Sequence, residues 1–311
     1  MNEAMYQPLR KILVYDDFDK GLNGWCPLTP NLSGDSFEYF ESQKRYKLWG
    51  GPMLSNCTFP FLGTHGSMSG MYCMKLATRP MAGPPTQQPV PGSMAHAIKR
   101  LTVAKPGLLK IEAWFSYKAE MDRPGLGESD VRAFGFFCDA QDHERRYFFG
   151  ARYLNAAAGK IAGKWEYFKA SPGREEDWGD MGQSAVGEPG SKKKVFLSRG
   201  IDSQWLGKRF ADGTADGYQD VPGGAQPLCF NETPDKINWH YFALTFDMKK
   251  REYVSLQAVD QSWDLRGIQP SMVEPFPRIR QLLNPVFFIE ADANRRVFLF
   301  VDSVVISMDD A

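Results

Sequence analysis

Residues 108–120 read LLKIEAWFSYKAE. Apolar side chains recur at every second position. Leu109, Ile111, Ala113, Phe115 and Tyr117 share one side of an extended chain. Lys110, Glu112, Trp114, Ser116, Lys118 and Glu120 share the other. Period two with one apolar side predicts a strand that packs its odd-numbered residues on a core and turns the even-numbered ones outward. Trp114 is the misfit of the outward set. Leaving its ring wet costs about 25 cal/mol per Å² of apolar surface. Either a loop covers it or a ligand does.

Further strands are predicted at Lys11 to Phe18, Phe37 to Trp49, Met71 to Thr78, Arg132 to Asp139, Arg145 to Asn155, Ile161 to Lys169 and Lys194 to Ser198. The last third adds Asn238 to Asp247, Glu252 to Asp260, Pro285 to Ala291 and Val297 to Ser307. The weak helix candidate, Val273 to Leu283, is broken by Pro275 and Pro277. Many short strands without alternating helices predict an all-β, two-sheet antiparallel sandwich of the jelly-roll kind. One domain over 1–311 is expected, with long loops near 80–93, 171–193 and 207–227, where Pro, Gly and charged residues gather.

Composition narrows the function classes. At 43% hydrophobic and 24% charged residues, the 311-residue chain is globular rather than disordered. Lys plus Arg and Asp plus Glu both total 37, so the basic excess of a dedicated nucleic-acid binder is missing. No apolar run approaches the roughly 18 residues of a membrane span. Residues 1–10 lack the charged-then-apolar order of a secretion signal, which predicts a cytoplasmic protein. The five cysteines and four histidines are scattered, without CxxC or HExxH spacing. GxSxG, P-loop and dinucleotide fingerprints are absent, so serine hydrolase, NTPase and Rossmann readings fall away.

Three segments carry a family resemblance. Asp16-Asp17-Phe18-Asp19-Lys20-Gly21-Leu22-Asn23-Gly24-Trp25 resembles the opening "DDF-x-x-G-L-x-G-W" of bacterial concanavalin A-like lectin/glucanase jelly rolls. Trp239-His240-Tyr241-Phe242 through Phe246-Asp247 resembles their "W-H-x-x-x-L-T-F-D" hairpin, and Phe300-Val301-Asp302-Ser303-Val304-Val305 their closing strand. The resemblance implies two antiparallel sheets with a carbohydrate site across the concave one. It also implies a structural Ca²⁺ between an acid near the chain start and an Asp of the closing strand; here those are Asp17 and Asp302.

The expected site lies around the outward side of 108–120. An aromatic plate suits the apolar face of a pyranose, and charged or amide groups suit its hydroxyls. Trp114 and Lys118 are the proposed sugar contacts, with Arg145, Tyr147 and Trp165 as neighbours. Glu112 and Glu120 are the carboxylates available on this strand for acid–base work. The E-x-D-x-x-E motif of laminarinase-like members is missing, and four same-face steps separate these two acids. Two functions therefore stand side by side: an oligosaccharide-cleaving enzyme (glycoside hydrolase or lyase-like) and a non-catalytic carbohydrate-binding protein. A structural protein, with exposed aromatics forming a homo-oligomer contact, is the third. Asp302 shares the apolar stripe Phe298, Phe300, Val304 and Ile306, where a carboxylate must be paired, coordinate metal or accept loop amides.

Overall fold

The computed structural model describes residues 6–27, 51–56, 66–78, 94–103, 105–120, 127–169, 217–231, 238–273, 275, 279–293 and 295–309. These form strands β1 (Lys11–Asp16), β2 (Pro52–Asn56), β3 (Tyr72–Ala77), β4 (Met94–Ile98), β5 (Leu108–Ala119), β6 (Val131–Gln141), β7 (Arg146–Ala157) and β8 (Lys160–Phe168). They continue with β9 (Tyr218–Ala225), β10 (His240–Asp247), β11 (Glu252–Ala258), β12 (Gln261–Asp264), β13 (Ser271–Val273), β14 (Leu282–Ala291) and β15 (Val297–Asp309). A 3-10 turn, Glu128–Asp130, precedes β6. No helix among the described residues is long and apolar enough to cross a membrane.

The strands form two antiparallel sheets, as a jelly-roll sandwich requires. The first runs β12-β11-β10-β5-β15-β3-β2, with β1 also on β15. The second runs β4-β14-β6-β7-β8-β9, with β13 on β7. The core between them takes Leu109, Ile111, Ala113, Phe115 and Tyr117 from β5, so the parity read from the sequence holds. Facing them are Phe134, Phe136, Tyr153, Trp165 and Phe287 of the second sheet. Tyr117 and Phe134 approach to 4.5 Å between ring centroids, and Phe149 stacks on Phe246 at 3.8 Å. Aromatic pairs of this kind add about 0.5–1.5 kcal/mol each beyond their buried area.

The motif near the chain start is a clasp. The Asp16 carboxylate accepts the Trp25 indole N–H and the Lys99 ammonium, both at 2.8 Å. Trp25 in turn packs on Phe287. Those residues tie the end of β1 to the second sheet.

Three expectations change. Residues 218–225, expected as loop, form β9; its Pro222 is tolerated because β9 is the edge of its sheet among the described strands. None of the described residues of the helix candidate 273–283 is helical: β13 ends at Val273 and β14 begins at Leu282. Third, β15 does not keep one phase. Val297, Leu299 and Val301 face the core, but so do Val304, Ile306 and Met308. A bulge between Asp302 and Val305 inserts the extra residue, and Ser303 takes a positive φ of 51° there. Phe298 and Phe300 therefore pack on the outer side of the first sheet. The predicted strands at 37–49 and 194–198 and the loops near 80–93 and 171–193 lie outside the described residues.

Candidate functional site

The outer side of the first sheet brings together four of the expected residues, Glu112, Trp114, Lys118 and Asp302. Register places Tyr241 of β10, Trp114 of β5 and Asp302 of β15 side by side. Trp114 and Tyr241 are half-buried, with ring centroids 5.6 Å apart. Trp239, two residues before Tyr241, is also half-buried and packs against the outer cluster of Cys73, Ala77, Phe298 and Phe300. Trp114, Tyr241 and Trp239 thus form an aromatic platform only partly shielded from water. Reading parity through residues 238–247, as was done for β5, would have put Trp239 and Tyr241 on one side.

Glu112 lies at one end of this platform and is fully buried. Its Oε1 accepts the Gln7 amide at 2.7 Å and the Tyr241 hydroxyl at 2.6 Å, with the Lys110 ammonium at 3.2 Å. Its Oε2 is buried without a hydrogen-bond partner. The segment carrying Gln7 crosses the sheet: Leu9 and Arg10 donate their amides to Ser307 Oγ and Asp309 Oδ1. Tyr6 is buried beside Glu112, Ser303 and Asp302, and burial pushes its hydroxyl pKa upward.

Asp302 is fully buried at the bulge. Its Oδ2 accepts the amides of Met68 and Ser69 at 2.8 and 2.9 Å, and its Oδ1 that of Ser303 at 2.7 Å. Burial nevertheless outweighs these bonds and raises its pKa to about 6. Of the three roles open to this carboxylate, acceptance of loop amides is visible. Asp17 accepts the amide of Asp19 within its own turn. Among the described residues no three His, Cys, Asp or Glu side chains are grouped as metal ligands.

At the other end of the platform is Lys118, opposite Phe298 of β15 and fully buried. Its Nζ has no hydrogen-bond partner, and desolvation lowers its pKa. The Trp114 Nε1 is likewise buried and unpartnered.

Other expected residues do not join this group. Glu120 follows the end of β5 and lies 3.5 Å from Arg296. Eight extended residues place it roughly 26 Å from Glu112, against the 5–10 Å that a glycosidase pair needs. Glu112 and Glu120 are therefore not an acid–base couple. Tyr147 and Trp165 belong to the core cluster between the sheets, and Arg145 is exposed in the β6–β7 turn. None of the three shares the Trp114 surface. Inward parity on β7 and β8 takes Tyr147, Phe149, Tyr153, Trp165 and Tyr167 and leaves Arg146 and Arg152, with Phe148 and Phe168, on the outer side of the second sheet. There Arg146 makes a bidentate pair with Asp139, both contacts at 2.8 Å, and Arg152 binds Glu166 at 2.7 Å. The Arg152 guanidinium also stacks 3.9 Å from the Tyr218 ring centroid.

Three solved structures are similar in broad outline. The cellulose-induced protein Cip1 is 12% identical with a TM-score of 0.40, covering 94% of this chain and 96% of that one. The Emp47p carbohydrate recognition domain is 8% identical with a TM-score of 0.37, covering 83% and 88%. A variant of the alginate lyase Aly36B in complex with alginate tetrasaccharide is 7% identical with a TM-score of 0.38, covering 76% and 81%. No curated protein matches the sequence. One family does, over residues 2–310, and the chain belongs to it: DUF6772, a domain of unknown function.

Proposed function

We propose that this protein binds an oligosaccharide across the outer side of the first sheet, along Glu112, Trp114, Tyr241, Trp239 and Lys118. The observation that carries the reading is a juxtaposition. Three half-buried aromatic rings adjoin three buried polar atoms with no partner: Glu112 Oε2, Trp114 Nε1 and Lys118 Nζ. An unsatisfied buried donor or acceptor costs about 1–3 kcal/mol. A polyhydroxylated ligand supplies both donors and acceptors, and its ring faces suit the platform.

Binding is favoured over cleavage. Glu112 and Glu120 are too far apart, and the nearer carboxylate, Asp302, already accepts backbone amides on both oxygens.

The test is an oligosaccharide panel read by thermal shift and tryptophan fluorescence, since a ligand of the native state raises the melting temperature. If the ligand covers on the order of 50 Å² of the Trp114 ring, the loss in Trp114→Ala is about 1.3 kcal/mol, close to tenfold in Kd. Cooperative unfolding should persist. Unchanged sugar affinity in Trp114→Ala would remove the reading. A platform that instead buries itself between copies of the chain would show as concentration-dependent mass in sedimentation, lost in the same variant.

A further inference from the structure

We infer that the oligosaccharide taken by this surface is anionic and that Lys118 receives its carboxylate or sulfate group. The inference rests on the carbohydrate-binding reading above and names the ligand class for the same site.

Lys118 points to the outer side of the first sheet, on the same strand and side as Trp114. Two same-side steps separate them, roughly 13 Å along the strand, so one short oligosaccharide reaches both. The Lys118 side chain is wholly buried and its ammonium has no hydrogen-bond partner. A buried cation in that state is expensive unless an anion joins it. Methionine would fill similar space without the charge.

The surroundings add positive charge. Across β15, Lys75 of β3 sets its Nζ 5.8 Å from the centroid of the Phe298 ring, the same residue that Lys118 faces in register. Arg296, just before β15, acts on Lys75 electrostatically; together with burial it lowers the Lys75 pKa. Glu120 stands against Arg296 at 3.5 Å. This cationic corner belongs to a chain whose formal net charge is zero, so it is a local feature and not part of a generally basic surface. Phe298, Phe300 and Trp239 wall it, which excludes water and strengthens attraction for an anion.

Isothermal titration of the full chain tests the inference. The probes are a panel of oligosaccharides, each in neutral, uronate and sulfate-ester form. Wild type should prefer at least one anionic form over its neutral counterpart by about tenfold or more. The form preferred separates carboxylate from sulfate. Lys118→Met should reduce the ratio of anionic to neutral affinity to about twofold, and Lys118→Gln should agree. Lys249→Met, at an exposed turn lysine, should change nothing. Thermal unfolding of each variant shows that the fold is kept. Equal binding of neutral and anionic forms by wild type would overturn the inference and leave carbohydrate binding standing. A preference that survives both Lys118 variants would do the same. Failure of every form to bind would remove the carbohydrate reading and this inference with it.

Discussion

Asp302 gives stability an unusual dependence on pH. Its carboxyl is raised from 3.8 to about 6 because burial disfavours the charged form more than the amides of Met68, Ser69 and Ser303 favour it. Between those two values the unfolded chain releases the proton and the folded chain keeps it. Folded protein then binds more protons than unfolded, so the contribution falls as pH rises through this window. It is fully present below about pH 4 and gone above about pH 6. Two pKa units at about 1.4 kcal/mol each make the change roughly 3 kcal/mol. Asp302→Asn cannot ionise and lacks this slope. It also exchanges one of the two acceptor oxygens for an NH2 donor, but that loss does not vary with pH. Urea unfolding of both proteins from pH 4 to 7.5 isolates the effect. Wild type should gain roughly 3 kcal/mol on the variant at pH 4 relative to pH 7. Parallel stability curves would refute the reasoning. A gap that moves in the opposite direction would mean that the amides win and the carboxylate stays charged into acid.

Other outcomes follow from single contacts. Tyr241→Phe keeps the platform ring but removes the 2.6 Å bond to Glu112; a loss of about 1–2 kcal/mol is expected in chemical unfolding. Arg146→Ala leaves Asp139 buried and unpaired, at a cost of about 3–5 kcal/mol, whereas Arg146→Met with Asp139→Leu should recover most of it. Gly135→Ala would set a Cβ 2.3 Å from the Ala151 carbonyl oxygen and 2.6 Å from Arg152 Cα. Parting β6 from β7 there should cost about 3 kcal/mol, seen as a lower melting temperature.

What could be read from the sequence was what period two controls. The β5 alternation assigned both sides of the strand correctly, because an error of one position would have turned Glu112 and Lys118 into the core. Other features were hidden by their nature. The phase of β15 changes at a single positive-φ residue, Ser303, which looks like any other strand serine. Glu112 meets Gln7, 105 residues away in sequence, so no local pattern announces the pair. On β7 both sides are buried, and parity alone could not say whether Tyr147 or Arg146 faced the core. The strand β9 was disguised by Pro222, Gly223 and Gly224, which are permissible because one of its edges pairs with no other described strand.

The position of β15 has a consequence for how the molecule is made. That strand is flanked by β5 along most of its length and, on its other edge, by β3 and then β1. All three partners are synthesised far earlier; roughly 180 residues of chain separate the end of β5 from the start of β15, a separation that slows folding. Until the ribosome has released β15, the middle of the first sheet is a gap with open backbone edges on both banks. Those edges are templates for pairing with a neighbouring nascent chain. A peptide spanning residues 297–309, supplied in trans during translation, should therefore compete for the gap and trap the chain before its own last strand arrives.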